Sequence, residues 1–259
     1  MQSDLWISLS TYNLLTNNFE FILDRDWYFY CIGNYIAFAV NSVSFSQDQS
    51  QLRPGMDVRL SKRLSLVLRH KAVEWGFKIY PGGYVLVKDL LAHKMFQGYT
   101  EADIRRVVAS NEKQRFSLKT HEETGDLMIC ANQGHSFEVP EPELEPITDA
   151  SRYPTVIHGT FIRHWDQIRR EGLRRMNRTH IHFAQGEPGA DGVISGMRRS
   201  CQIMIFIDLH AAIQDGIKFF LSKNGVILSP GDRNGILRTR YFRRVLQVNP
   251  RQEIAFEKR

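Results

Sequence analysis

Cysteine is scarce in this chain: its 259 residues hold three, Cys31, Cys130 and Cys201, far apart and never in a C-x-x-C pair. That spacing excludes the thiolate clusters of structural zinc and the dithiol of redox enzymes, so no metal is expected. An odd, scattered set is also no secreted disulfide framework, and the expected home is a reducing compartment, cytoplasmic or nuclear. Neither G-x-G-x-x-G nor G-x-x-x-x-G-K-[ST] occurs, which sets aside Rossmann and P-loop nucleotide binding. Internal repeats are missing as well. The one long stretch without charge, residues 27–47, is broken by Asn34, Asn41 and several Ser and Tyr and has no basic stretch before it, so no membrane span is expected there. Residues 1–55 are left as an unassigned N-terminal extension.

What remains is ordinary in bulk and basic in balance. Hydrophobic residues make up 42% and charged residues 24%, enough for one large globular domain or two small ones. The formal net charge of +6 favours polyanionic partners or phosphorylated ligands without naming either.

The pattern of apolar residues divides the rest of the chain. After the turn-rich Arg53-Pro54-Gly55, the spacing of Leu60, Leu64, Val67 and Leu68 predicts a helix over 57–74. A short strand at 84–87 and a small helix at 88–92 follow the Pro81-Gly82-Gly83 turn. Thr100, with Glu101 and Asp103 behind it, is an N-cap for a helix ending near Asn111. Strands at 115–119 and 127–131 then form a two-stranded wing, and helices followed by such a wing suggest a winged helix-turn-helix over 56–138. The span 139–154, with four prolines and several acids, reads as a linker. A second domain, 155–250, carries strands at 155–158, 179–183, 202–208, 218–221 and 226–228, with short helices at 164–170, ended by Gly172, and 211–215. Residues 251–259 are a tail. Strands with few short helices imply an α+β class.

Several clusters could carry chemistry. Leu68-Arg69-His70 places a guanidinium and an imidazole at a helix C-terminus, where cations also simply complement the dipole. Arg115 opens a strand and could face the same cleft as Arg69; paired hydrogen bonds from a permanently charged guanidinium suit a phosphomonoester. Asn132-Gln133-Gly134-His135-Ser136 is either a binding loop or a set of struts between domains. His158-Gly159-Thr160 ends a strand, and alternation sends Arg178, His180 and His182 to one face of another, where they could hold a nucleotide. Gly196-Met197-Arg198 precedes the strand at 202–208. Asn224-Gly225 between apolar runs is a hairpin signal.

Taken in order, Leu60-Ser61-Lys62 with Leu68-Arg69-His70, Lys113-Gln114-Arg115-Phe116, Asn132 to Ser136, His158-Gly159-Thr160, Arg178 to His182, Gly196-Met197-Arg198, and Asp215-Gly216 through Asn224-Gly225-Val226 resemble the tRNA 2′-phosphotransferase family over nearly all of 59–248. The resemblance implies an N-terminal winged-helix RNA-binding lobe and a C-terminal mixed-sheet lobe like that of ADP-ribosyltransferases. It implies an enzyme that consumes NAD⁺, without a metal, to remove an internal 2′-phosphate from spliced tRNA, giving 2′-hydroxyl RNA, nicotinamide and ADP-ribose 1″,2″-cyclic phosphate. By the same carry-over Arg69, His70, Arg115 and Arg198 grip the phosphate, and His158, Gly159, Thr160, Arg178, His180 and His182 line the NAD⁺ site. Arg199 leaves the fourth position open by one residue. Cys130 stands where the family usually has an Arg. The rival readings are an ADP-ribosyltransferase acting on nucleic-acid terminal phosphates and a non-catalytic winged-helix RNA-binding protein. The natural RNA is left open, and so is the oligomeric state, with a monomer as the working expectation.

Overall fold

The computed structural model describes residues 30–32, 35–37, 54–190, 193 and 196–259. The chain divides into Met1–Gln51 and Leu52–Arg259. In the first unit β1 (Tyr30–Ile32) and β2 (Tyr35–Ala37) pair antiparallel. The remainder of the uncharged 27–47 stretch lies outside the described residues, among which no helix is long and apolar enough to cross a membrane.

The second unit begins with α1 (Pro54–Leu66), continued by one π-helical turn over Val67–Lys71. This helix starts earlier than predicted because proline is tolerated in a first turn, where its missing N–H had no helical partner. Its stripe of Leu60, Leu64, Val67 and Leu68 is fully buried. β3 (Val85–Leu86) runs into α2 (Val87–Ala92). The expected cap starts α3 (Glu101–Ala109): Thr100 Oγ1 accepts from the Asp103 amide at 3.2 Å, and the Asp103 carboxylate accepts from the Thr100 amide at 2.9 Å. β4 (Phe116–Thr120) and β5 (Leu127–Ala131) form the predicted hairpin, and β3 adds to the other edge of β5, making an antiparallel sheet in the order β3-β5-β4. The helices and this sheet share one apolar core that includes Leu64, Ile104 and Ile129.

Residues 139–154 are not a free linker. The Gly82 amide donates to the Pro140 carbonyl at 2.8 Å, and β6 (Glu145–Pro146) pairs at the edge of a sheet. Ile147 and Tyr153 are buried in the second core. Proline excludes helix here, but it is compatible with an edge strand.

Beyond it come β7 (Ile157–Thr160), α4 (Ile162–Glu171), β8 (Leu173–Arg174), β9 (Ile181–Phe183), β10 (Ile203–Ile207), α5 (Leu209–Gln214), β11 (Phe220–Leu221), β12 (Ile227–Ser229), β13 (Ile236–Leu237), β14 (Phe242–Gln247) and β15 (Gln252–Glu253). They form two four-stranded sheets, β15-β14-β10-β7 and β6-β11-β12-β9, and a β13-β8 pair. Every strand pair among the described residues is antiparallel, which corrects the expected mixed sheet. A single bridge, Ile157 to Ala184, joins β7 to the chain just past β9. The central strand β10 is buried on both faces: Ile203, Ile205 and Ile207 enter one cluster, Met204 and Phe206 another. Its uninterrupted apolar run was readable in the sequence. β14 was not, because Arg243 and Arg244 break its pattern at exposed positions.

Gly172 ends α4 with φ +92° and ψ −178°, and an added Cβ would run into the Leu237 carbonyl and Ile236. Replacing it with alanine is expected to destabilise the unit by about 2 kcal/mol or more. A fall in the urea unfolding midpoint at unchanged slope would report this; an unchanged midpoint would contradict it.

Candidate active site

The site is organised by the five residues after β5. The Asn132 amide donates to the Arg115 carbonyl at 2.9 Å, and its side-chain amide donates to the Gln114 carbonyl at 2.7 Å. The His135 carbonyl accepts from the Thr179 amide at 3.0 Å, and the Ser136 amide donates to the Arg69 carbonyl at 2.9 Å. One loop therefore fixes the end of the α1 helix, the start of β4 and the approach to β9. These ties run through the backbone and the Asn132 side chain rather than through the side chains of Gln133 or His135, whose Nε2 has no partner, and a further tie comes from Asn224, whose side chain donates to the Lys113 carbonyl at 3.0 Å. The sequence offered no signal for that link beyond the hairpin motif.

Arg69 and His70 project from the π turn, where the Ala72 amide reaches back to Val67 at 2.9 Å. His70 Nδ1 lies 3.1 Å from Ser136 Oγ. Burial, then the Arg115 and Arg178 guanidiniums, lower the Arg69 pKa to about 10, so it stays charged at neutral pH. Its Nε and Nη2 are buried without a hydrogen-bond partner in the protein. Arg115 is held by Asn111, whose Oδ1 accepts from its amide and from Nη1, each at 3.2 Å.

Arg198 comes from a turn seated by two glycines. A Cβ on Gly159 would lie 2.8 Å from Met197 Sδ, and a Cβ on Gly196, at φ +113°, would lie 2.7 Å from the Ala184 backbone. With both side chains missing, Met197 packs over β7 and the turn closes against the chain beyond β9. The Arg198 charge in turn, after burial, pushes down the pKa of Arg178, and burial, then the charges of Arg115, Arg199 and Arg198, lower that of Lys113. Among the described residues, Arg69, Arg115, Arg178 and Arg198 have no carboxylate within ion-pair reach.

The histidines divide. His182, on β9, is buried; burial, then the charges of Arg178 and Arg69, hold its pKa well below the usual value, and its Nε2 has no partner in the protein. Half-buried His158 is fixed by its Nδ1, 2.9 Å from the His182 carbonyl oxygen. Thr160 is buried at the end of β7. β9 starts only at Ile181, so of Arg178, His180 and His182 only the last lies in the strand, though the charges of the other two reach it. His180 instead bonds through Nδ1 to Thr179 Oγ1 at 2.9 Å and lines a cavity of about 630 Å³ with His135, Arg175 and Lys223. None of Arg69, His70, Arg115 and Arg198 lines that cavity. Cys130 is buried with Tyr84, Leu86 and Met128, and burial raises its thiol pKa to about 11. Nearby, the Tyr84 hydroxyl accepts from Lys223 Nζ at 3.3 Å, and Lys223 pairs with Glu143.

A cluster of unpaired guanidiniums with buried imidazoles beside it suits a phosphate-bearing substrate. Residues 55–231 match the family described as RNA 2′-phosphotransferase, Tpt1 / KptA family. The chain belongs to this family. It is 53% identical over 196 residues to tRNA 2′-phosphotransferase 1 of Danio rerio, covering 75% of this chain and 87% of that protein. Against tRNA 2′-phosphotransferase 1 of Homo sapiens it is 48% identical over 195 residues, 75% of this chain and 77% of that protein. The tRNA 2′-phosphotransferase of Saccharomyces cerevisiae is 43% identical over 181 residues, 67% of this chain and 78% of that protein. The chain is thus a transferase of the RNA 2′-phosphotransferase class.

His135 is buried with its Nε2 unpaired, and burial, then the charges of Arg69, His180 and His70, lower its pKa to about 4. A folded-state pKa below the unfolded one contributes stability that is complete above about pH 6.5 and is lost as pH falls towards 4. Unfolding free energy measured from pH 7 to 4 should therefore fall, and His135→Gln should make that fall shallower whatever its effect at pH 7. An identical slope in the variant would refute the assignment.

Proposed function

We propose that this transferase removes an internal 2′-phosphate from spliced tRNA with NAD⁺ as the consumed co-substrate, using Arg69, His70, Arg115 and Arg198 as the phosphate grip. The observation that carries the reading is the Arg69 guanidinium, buried with Nε and Nη2 unpaired and with Arg115 and Arg178 as like-charged neighbours. Such a group gains most from a dianion that accepts two parallel hydrogen bonds. Arg198 is taken as the fourth member over Arg199 because its charge also reaches Arg178, a neighbour of Arg69, although at Lys113 the Arg199 charge acts more strongly.

In this reading α1 to α3 and the β3-β5-β4 sheet make a winged-helix RNA lobe over 56–138, and 155–250 makes an ADP-ribosyltransferase-like lobe for NAD⁺. The unpaired His182 Nε2 fits a ligand hydroxyl or phosphate oxygen, and His158, Gly159, Thr160, Arg178 and His180 complete the NAD⁺ set. NAD⁺ supplies an electrophilic ribose carbon and nicotinamide as leaving group. A phosphate needs no strong base to attack that carbon, so the work of the chain's residues is orientation. The basic residues hold the 2′-phosphate in line, then stabilise the extra negative charge that builds on phosphorus as a neighbouring hydroxyl displaces the RNA 2′-oxygen. The products are 2′-hydroxyl RNA, nicotinamide and ADP-ribose 1″,2″-cyclic phosphate.

Arg69→Ala and Arg115→Ala are each expected to lower kcat/KM about a hundredfold, close to 3 kcal/mol. The assay follows a labelled internal 2′-phosphate from RNA into a small cyclic phosphate in the presence of NAD⁺. Full activity in either folded variant would remove that residue from the grip. Accumulation of a stable ADP-ribosylated RNA instead of cyclic phosphate would favour ADP-ribosyl transfer to phosphate ends.

A further inference from the structure

Phe161 follows His158-Gly159-Thr160 directly and holds the N-cap position of α4. Its ring is only half-buried, although an aromatic of this size in a strand-to-helix junction is ordinarily part of the core. Two guanidiniums frame it: Arg163 Cζ lies 5.1 Å and Arg198 Cζ 5.9 Å from the ring centroid. The His164 ring stands edge-on at 6.4 Å, and Arg163 Nε donates to His164 Nε2 at 3.1 Å. The next residue, Ile162, is 48% exposed. Among the described residues neither Arg163 nor Arg198 has a carboxylate partner, in contrast to Arg169, further along α4, which pairs with Asp166.

The geometry points to a nucleobase seat: we propose that Phe161, with Ile162 beside it and Arg163 and Arg198 around it, stacks a base of the RNA next to the 2′-phosphorylated nucleotide. This rests on the phosphate grip proposed for Arg198. A flat apolar face among unpaired cations, open to solvent, is the composition by which proteins bind single-stranded RNA, where splayed bases stack on aromatic rings and guanidiniums follow the backbone. Arg198 gives the distance argument. A group gripping the 2′-phosphate less than 6 Å from the ring leaves the neighbouring base within reach of that ring and no further. The occupant is RNA rather than the adenine of NAD⁺, because a second guanidinium, Arg163, stands 5.1 Å from the same ring as Arg198, and a base within a strand carries a backbone phosphate on each side whereas the adenine of a dinucleotide carries one on one side only. The ring would act as a positioning residue, fixing which way the strand leaves the site.

The test uses the full chain, Phe161→Ala and Phe161→Trp, and two short RNAs with one internal 2′-phosphate, one normal and one abasic at the nucleotide flanking the junction. Phe161→Ala should raise KM for the normal RNA about five- to a hundredfold, with KM for NAD⁺ unchanged. Phe161→Trp should keep the wild-type value. On the abasic RNA, wild type and Phe161→Ala should perform alike. A 2-aminopurine at the flanking position should be quenched on binding to wild type and not to Phe161→Ala. Equal losses on both RNAs would mean that the ring only supports Arg198, and would overturn the proposal. A raised KM for NAD⁺ alone would overturn it in favour of an adenine seat. Absence of phosphate transfer by the wild type would sink the proposed function instead, while quenching by direct binding would still decide the base seat.

Discussion

The structure depends on holding several guanidiniums close together with, among the described residues, no carboxylate paired to them. After burial, the charges of Arg115 and Arg178 lower the basicity of Arg69, and that of Arg198 lowers the basicity of Arg178. Unit charges of the same sign at 4 Å repel by about 4 kcal/mol at an effective dielectric near 20. Such an arrangement persists only if the backbone carrying it is fixed independently. Here the fixing comes from the Asn132 to Ser136 loop, whose amides and carbonyl tie down Arg115, Arg69 and Thr179 by hydrogen bonds that involve none of the charges.

The same logic explains the geometry around Arg198. Exposed arginines ordinarily roam, but the turn that carries this one is wedged between β7 and the chain past β9. Gly159 and Gly196 leave room for Met197 and for the Ala184 backbone. The apolar cluster of Ile157, Cys201, Met204 and Phe206, with Met197 against it, then anchors the turn from below. Packing energy from an apolar layer is thus used to place a cation.

Cys130 itself takes no part in the joint between the sheets. The thiol is buried beside Tyr84 and stays protonated. Lys223, which reaches both Tyr84 and Glu143, and Asn224, which reaches Lys113, connect the β3-β5-β4 sheet to the later strands. The 139–154 stretch takes part in this joint because Glu143 lies on it.

Local pattern determined a good deal by itself. The apolar stripe of α1, the Thr100 cap, the β4 and β5 hairpin and the doubly buried β10 each follow from spacing or composition within about a dozen residues, since periodicity and capping are local physics. The order and spacing of the short motifs were enough to indicate the family. Tertiary structure alone decided which residues meet. The short β8, β13 and β15 carry too few residues to show a pattern, and β14 hides behind its outward arginines. The linker reading failed because Ile147 and Tyr153 find a core only once the sheets are assembled. Arg178 and His180 fall outside β9 because the strand begins at Ile181, two residues later than expected. Above all, the approach of Arg69, Arg115 and Arg178, from three separate stretches of chain, rests on hydrogen bonds between residues distant in sequence, and the Arg198 turn rests on packing between distant segments, neither of which a local pattern encodes.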